Sequence, residues 1–449
     1  KLSALPSNNG SALSLALYDP RYIRYNKAMI KQSKLRFPRK FLWGAATSAH
    51  QVEGGNHNQW SVWELENAKS LAMQAGYTLN ELEIWPDIKR LATTPGNYVS
   101  GRAVDHYRCY EADFDLLKKM NLTAFRFSIE WSRIEPEEGM WDSKAVQHYT
   151  SYIAALRVRG IEPVMTLIHF TLPEWFAKKG GFEKRRNIRY VVRYAEYVMT
   201  QLGKNVRFIL TINEPEIYAT ESYLHAKWPP QKQNKTLFFK VLQNQIAAHN
   251  RIARMIHGLA RGHKVSIAKN SAFYYPGDSA TMTKVTSAGL QTMQDDYVLK
   301  QVIKTCDFIG LNYYFSNRVY GNRVHNPGLK QSDMAWDMQP ENIEYVLERL
   351  WRKYKKPIII TENGVADMHD SVRKWWLAHT LVGMSNAIKN GVKLQGYLHW
   401  SLLDNFEWAN GRWPRFGLVE VNYKTMERHI RPSGKWFGTI VGKLRKESW

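Results

Sequence analysis

Residues 208–215 read FILTINEP, and this stretch is the strongest indication of the fold. Residues 206–212 form an apolar run that is rich in β-branched side chains and too short for a helix, as expected of a fully buried strand. The run delivers Asn213 and Glu214, and Pro215 then removes the backbone donor that a longer strand needs. The stretch therefore predicts a buried strand with a carboxylate at its C-terminal end.

A second stretch, residues 357–364, reads PIIITENG and repeats this design. Its apolar strand stops at Glu362, and we expect Gly364 to allow a sharp turn there. One glutamate alone would as readily be a solvated residue where a strand ends. Two such glutamates, each beside an Asn, favour a two-carboxylate active site, which is the machinery of glycoside hydrolysis.

The rest of the chain alternates strand-like and helix-like segments. The other predicted strands are residues 41–47, 123–130, 163–168, 264–268, 307–312 and 394–400. The principal predicted helices are residues 105–120, 143–159, 187–202, 240–257, 340–354 and 373–390. Eight strands alternating with helices, without a repeated domain pattern, predict an α/β fold consisting of a single (β/α)8 TIM barrel with extended βα loops.

Two segments fall outside this alternation. Residues 1–34 are expected to form an N-terminal extension that is packed on the surface or partly mobile, with residues 35–449 as the barrel domain. Residues 56–101 exceed ordinary loop length and contain a predicted helix at 61–76. This excursion is either a functional lid on the catalytic face or a surface feature, and the sequence leaves both open.

Composition excludes several classes of protein. The net charge of +23 comes from scattered basic residues, which predicts a solvated basic surface, unspecific attraction to polyanions and no specific nucleic-acid partner. The sequence contains no run of eighteen apolar residues, so it does not predict a membrane-spanning helix. Cys109 and Cys306 are expected to be buried free thiols, which is typical of a cytoplasmic protein, although the chain starts at Lys1 and a removed signal stays open.

Residues 211–215 (TINEP) and 361–364 (TENG) resemble the two signatures of glycoside hydrolase family one, the retaining β-glycosidases, and the resemblance covers nearly the whole chain. It implies that Glu214 is the acid/base, that Glu362 is the nucleophile and that Asn213 donates to the sugar 2-hydroxyl. It also implies an exo-acting β-glucosidase, with β-galactosides and β-fucosides as further substrates. Neither a metal nor an organic cofactor is expected, and the oligomeric state stays open.

The resemblance also assigns the remaining site residues. Arg126 and Tyr314 are expected to contact the nucleophile carboxylate. The residues expected around the substrate are Gln51, His169, Asn213, Asn312, Trp336, Trp400, Glu407 and Trp408. Trp400 is the implied platform under the sugar, Glu407 the partner of its 4- and 6-hydroxyls, and Trp336 a gate for the aglycone.

The other implied sugar contacts sit near two departures from the family pattern. Gln51 is expected to bind glycone hydroxyls, and His169 and Trp408 to bind the 3-hydroxyl. His50 stands where the family commonly has Tyr, and Phe170 stands where it usually has Trp. Contacts at the sugar edge are therefore open at this stage.

Three alternatives compete with a simple hydrolase of small β-glycosides or oligosaccharides. A phospho-β-glycosidase is disfavoured because Glu407 would repel a 6-phosphate. A non-catalytic sugar-binding barrel is expected to have lost Glu214 or Glu362, and both are present. A transglycosidase, in which a sugar hydroxyl outcompetes water, stays open.

Overall fold

The computed structural model describes residues 35–259, 261–326, 328 and 330–447, so the expectation for residues 1–34 lies outside the described part. The strands of the main sheet are β1 Leu42–Ala46, β2 Ala124–Ser128, β3 Glu162–Ile168, β4 Phe208–Asn213, β5 Lys264–Pro276, β6 Ile309–Tyr320, β7 Arg323–Val324, β8 Ile358–Asn363 and β9 Leu394–Trp400. All of them except β7 pair in parallel, and pairings β1–β9 and β5–β6 complete the ring. The predicted (β/α)8 barrel is confirmed.

Helices surround this ring and occupy its connections. They are α1 Ala49–Val52, α2 Gln59–Thr78, α3 Trp85–Ala92, α4 His106–Lys119, α5 Trp131–Ile134, α6 Ser143–Val158, α7 Glu174–Lys178, α8 Ile188–Leu202, α9 Pro215–Tyr223, α10 Lys235–Gly258, α11 Thr281–Gln291, α12 Tyr297–Val302, α13 Ile343–Tyr354, α14 Arg373–Lys389 and α15 Pro432–Glu447. Short 3₁₀ helices span Pro95–Tyr98, Gly181–Glu183, Arg185–Asn187, Gly203–Asn205, Pro340–Asn342 and Trp408–Asn410, and a π-helical turn spans Thr292–Asp296. Strands β10 Val419–Val421 and β11 Arg428–Ile430 form a separate antiparallel hairpin.

Side chains on the two faces of the barrel strands form separate apolar clusters. Every residue of β4 and β8 is buried, because one face points into the barrel and the other packs against helices. The inner cluster contains Ala124, Val164, Leu210, Ile359 and Leu398. The larger outer cluster joins strand and helix side chains. Both apolar faces of the strands are thus covered, which explains their unbroken hydrophobic runs.

Some strand boundaries differ from the sequence prediction because they depend on pairing between distant segments of the chain. Strands β5 and β6 run several residues beyond the predicted ends, because they continue to pair with each other from Phe273–Ser316 to Pro276–Val319. The segment that follows β1 contains the short helix α1. The expectation of two buried thiols is wrong for Cys109, which is partly exposed, whereas Cys306 is buried and burial raises the pKa of its thiol to about 11.

Within the described ranges, none of the helices has both the length and the apolar character required to cross a bilayer. The same part of the chain contains no group of three or more His, Cys, Asp or Glu side chains suited to hold a metal ion.

Candidate active site

A cavity of about 360 Å³ opens at the C-terminal ends of the barrel strands, where β4 ends before Glu214 and β8 carries Glu362. Nine of the expected site residues line it: His169, Asn213, Glu214, Tyr314, Trp336, Glu362, Trp400, Glu407 and Trp408. The other three, Gln51, Arg126 and Asn312, are fully buried and hydrogen-bonded to side chains of the cavity wall. The structure therefore gathers all twelve at one site.

Glu362 has a cation and a hydroxyl on its carboxylate. The buried guanidinium of Arg126 forms an ion pair with Oε1, and the Tyr314 hydroxyl donates to Oε2 at 2.6 Å. Arg126 also donates to Asn213 Oδ1 at 2.7 Å and to Thr166 Oγ1 at 3.0 Å, so this buried cation is well satisfied. Burial and the charge of Glu362 hold the pKa of Tyr314 well above its ordinary value, which keeps the phenol a donor. These contacts place a cation and a hydroxyl donor on the two oxygens of Glu362 and fix the orientation of its side chain.

Glu214 has the opposite environment. It sits at the junction of β4 and α9 with a φ of +38°, and Pro215 begins the helix. Its Oε1 accepts the side-chain amides of Asn312 at 2.8 Å and Asn270 at 3.1 Å. Burial raises the pKa of Glu214 to about 8, with further increases from the charges of Glu362 and Glu216. Glu214 is thus protonated at neutral pH.

Glu216, the other carboxylate of this segment, is engaged in an ion pair and a backbone hydrogen bond. It pairs with the buried ammonium of Lys269 at 2.9 Å and accepts the backbone N–H of Asn270 at 2.9 Å. It does not line the cavity. Its position excludes it as an alternative proton donor.

Two aromatic side chains and a histidine form one wall of the cavity. The His169 ring stacks with Trp400 at 5.9 Å and with Trp408 at 6.1 Å between centroids. Asn213 Oδ1 accepts from Arg126, so its Nδ2 is the donor to His169 Nε2 at 3.1 Å and the ring proton lies on Nδ1. Burial and the charge of Arg126 hold the pKa of His169 well below its ordinary value. His169 is therefore neutral.

Glu407 and Gln51 form a pair behind this wall. Gln51 Nε2 donates to Phe406 O at 2.8 Å and Asn405 Oδ1 at 3.0 Å, and lies 3.4 Å from Glu407 Oε2. Its Oε1 accepts from the Ser48 hydroxyl at 2.7 Å, which leaves the Nε2 end of the amide facing the loop that carries Glu407. Desolvation and the charge of Glu362 raise the pKa of Glu407 to about 8.

Trp336 lies on the opposite side of the cavity, next to the nucleophile's tyrosine. Its ring contacts Tyr314 at 5.5 Å, Phe315 at 5.7 Å and Phe416 at 5.9 Å. The aglycone position expected for Trp336 is consistent with this location, on a loop between β7 and α13.

The sequence did not point to three residues that the structure places at the site. Asn270 contacts Glu214, and Trp228 lines the cavity between Phe170 and Trp408, at 4.9 and 5.7 Å from their rings. His50, noted only as a departure from the family pattern, stacks on Trp408 at 5.7 Å and 9°. The strand-like residues after 268 were the only available signal for Asn270.

Gly364 serves a different purpose from the turn that the sequence suggested. Its φ is not among the positive values, and a Cβ at this position would lie 1.8 Å from the carbonyl oxygen of Trp400. The glycine therefore permits close approach of β8 and β9 beside the nucleophile.

Two glutamates at the ends of barrel strands, one paired with an arginine and one kept protonated by burial, define the active site of a glycoside hydrolase. The chain belongs to glycosyl hydrolase family 1, whose model matches residues 33–304 and 280–445.

Known relatives agree over almost their whole length. β-Glucosidase A of Acetivibrio thermocellus is 30% identical, over 91% of this chain and 99% of that protein. Among solved structures, a β-glycosidase from Pyrococcus horikoshii has a TM-score of 0.79 at 33% identity, covering 92% of this chain and 98% of that one. The β-glucosidase from Thermotoga maritima in complex with glucoimidazole has a TM-score of 0.80 at 27% identity, covering 91% and 99% of the two chains.

Proposed function

We propose that this protein is an exo-acting, retaining β-glucosidase that also accepts β-galactosides and β-fucosides. The observation that carries the proposal is the contrast between the two carboxyl groups. Glu362 has the Arg126 cation and the Tyr314 hydroxyl, whereas Glu214 accepts from two neutral amides and has a pKa of about 8. Environments that separate two carboxyl groups in this way assign one as nucleophile and the other as acid.

In the first step, a Glu362 oxygen forms a bond to the anomeric carbon while the bond to the leaving oxygen breaks. Glu214 gives its proton to that oxygen, so the aglycone leaves as a neutral alcohol. The covalent ester removes the charge of Glu362, and with it one cause of the raised pKa of Glu214. Glu214 then takes a proton from water, which attacks the anomeric carbon and regenerates the Glu362 carboxylate.

Sugar contacts follow from the wall of the cavity. Asn213, whose amide nitrogen is fixed as a donor, is suited to the 2-hydroxyl, and neutral His169 to the 3-hydroxyl. Trp400 offers an aromatic face for the ring. Glu407 is suited to the 4- and 6-hydroxyls, because a carboxyl group with a raised pKa can accept or donate.

The remaining proposed roles are indirect or concern the edges of the cavity. We assign Gln51 to orienting Glu407, because its amide is engaged by the Glu407 loop, and Trp408 to the sugar edge. Trp336 is assigned to the aglycone. Small β-glycosides are the proposed substrates.

Hydrolysis of nitrophenyl β-D-glycosides, with the product anomer followed by proton NMR, tests the proposal. We expect the β-glucoside to be hydrolysed with the β-anomer released first, and the α-glucoside to be inert. Initial release of the α-anomer would contradict the retaining mechanism. Activity on xylosides or mannosides alone would contradict the assigned glycone.

A further inference from the structure

The two carboxyl oxygens of Glu214 differ in their hydrogen bonding. Oε1 accepts from Asn312 Nδ2 at 2.8 Å and from Asn270 Nδ2 at 3.1 Å. Among the described residues, no side chain or backbone group is hydrogen-bonded to Oε2. Glu214 lines the cavity, so the oxygen without a protein donor is the one available to a substrate.

Both amides are fixed with their nitrogen toward Glu214. The Thr361 hydroxyl donates to Asn312 Oδ1 at 2.7 Å. Gln294 Nε2 donates to Asn270 Oδ1 at 3.2 Å and lies 3.3 Å from the Asn270 carbonyl oxygen. Because the oxygen of each amide accepts from a donor on its other side, neither amide can turn to accept a proton from Glu214.

Gln294 is itself held by an unusual piece of backbone. It lies in the π-helical turn Thr292–Asp296, a conformation that occurs mostly as single turns, frequently at functional sites. Its neighbour Asp295 accepts from Ser271 at 2.6 Å and forms an ion pair with Arg349. This turn therefore holds Gln294 against the oxygen end of the Asn270 amide, whose nitrogen end faces Glu214.

The chemistry of a carboxylic acid assigns the proton from these contacts. A protonated carboxyl group has one hydroxyl oxygen, which donates, and one carbonyl oxygen, which accepts. A proton on Oε1 would weaken both amide hydrogen bonds, whereas a proton on Oε2 preserves them. We propose that Asn270, oriented by Gln294, is a positioning residue that acts with Asn312 to keep Oε1 an acceptor, so that Oε2 carries the catalytic proton.

This inference rests on the proposed role of Glu214 as acid/base. In glycosylation the Oε2–H bond breaks and the proton moves to the glycosidic oxygen, which leaves with the electron pair of its bond to the anomeric carbon. In deglycosylation Oε2 takes a proton from the attacking water. Charged or titratable groups near Glu214 include Glu216 on α9, Lys269 on β5, Tyr314 on β6, Glu362 on β8 and Arg126 on β2. The same cavity is also lined by His169, Glu221, Lys227 and Glu407.

Asn270→Ala and Asn270→Asp separate this role from a structural one. The Asp side chain keeps the shape of Asn but replaces the donor facing Oε1 by an acceptor, which would draw the proton to the wrong oxygen. For glycosides with poor leaving groups, kcat/KM should fall about 10-fold in Asn270→Ala and about 100-fold in Asn270→Asp, which does not exceed the roughly 10²–10⁴-fold that a general acid contributes. With dinitrophenyl glycosides, which need no acid, it should change less than about twofold.

The pH profile gives an independent reading. The Asn270 hydrogen bond lowers the pKa of Glu214, so Asn270→Ala should move the alkaline limb of kcat/KM to higher pH. Asn390→Ala, an exposed amide at the end of α14, is the matched control and should change neither quantity. Gln294→Ala, at a half-buried position, should show the same dependence on leaving group with a smaller amplitude.

A result in which Asn270→Asp retains more activity than Asn270→Ala on poor leaving groups would overturn the proposal, since a structural role favours the isosteric side chain. Equal losses on both kinds of leaving group would also overturn it.

Glu214→Ala, assayed in parallel, keeps the two proposals distinguishable. If that variant shows no dependence on the leaving group, the proposed role of Glu214 itself is wrong.

Discussion

The pKa of Glu214 should fall when its neighbouring carboxylate loses its charge, and Glu362→Gln provides this perturbation. Burial is the first cause that raises the pKa of Glu214 to about 8, and the charge of Glu362 is the second. The Gln side chain preserves the size of Glu362 and leaves an oxygen for the Tyr314 hydroxyl. The electrostatic part of the shift is thereby removed with little change in burial.

The expected magnitude follows from the separation of a retaining pair. Two unit charges about 5.5 Å apart, at an effective dielectric constant of about 20, repel by about 3 kcal/mol. At about 1.4 kcal/mol per unit, this corresponds to about two pKa units. The pKa of Glu214 should therefore move from about 8 to about 6 in Glu362→Gln. It should stay above 4.5, because burial is the larger cause and persists.

Carbon-13 NMR of protein labelled at the glutamate carboxyl carbon measures this pKa directly. The additional substitution Glu214→Gln identifies the resonance by its loss, and Glu407→Gln identifies that of Glu407, whose pKa Glu362 also raises. A pKa of Glu214 that stays near 8 in Glu362→Gln would show that burial and the charge of Glu216, rather than Glu362, set it. In that case, loss of the Glu362 charge would not explain how Glu214 changes from the acid of the first step to the base of the second.

Three further outcomes are expected. The pKa of Glu407 is about 8 in the folded protein, against an ordinary value of 4.5. The protonated Glu407 side chain therefore stabilises the fold below pH 4.5, and this stabilisation is lost as the pH rises through about 8. Between these two pH values, the calorimetric Tm should fall less steeply in Glu407→Gln than in wild type. Above a pH of about 8, where the Glu407 carboxyl group is ionised, glycosides carrying a 6-phosphate should react at least about 100-fold more slowly in kcat/KM than the plain glycosides, because like charges placed together cost several kcal/mol; equal rates there would refute the assigned position of Glu407. The net charge of +23 should retain the protein on heparin at low salt and release it as sodium chloride rises, whereas elution without salt would count against a dispersed basic surface.

The barrel and its two glutamates were predictable because their signals are local. An apolar run that stops at a carboxylate is visible within eight residues, and both runs, at 206–212 and 357–361, correspond to barrel strands. The pairing of Arg126 and Tyr314 with Glu362 required the family resemblance, since these three residues lie on different strands. An arginine inside an apolar strand showed only that some partner must exist.

What the sequence did not reveal depends on pairing between distant segments. The predicted strand ended at residue 268, before Asn270, because the ladder that extends β5 is formed with β6 and no local pattern records that partner. The engagement of Gln51 by the Glu407 loop joins residues more than 350 positions apart. The partial exposure of Cys109 likewise depends on its neighbours in space rather than in sequence.

The excursion at residues 56–101 shows how such pairing gives a polar segment a function. Asn97 accepts the backbone N–H of Arg412 at 2.9 Å and donates to the Asn410 carbonyl oxygen at 3.1 Å, on either side of a loop residue with positive φ. Trp60 packs against Trp408 at 4.8 Å between ring centroids. These contacts support the loop that carries Glu407 and Trp408 from behind. Because the supporting groups are one buried amide and one indole among many polar residues, composition alone leaves the segment looking like a lid or a surface feature.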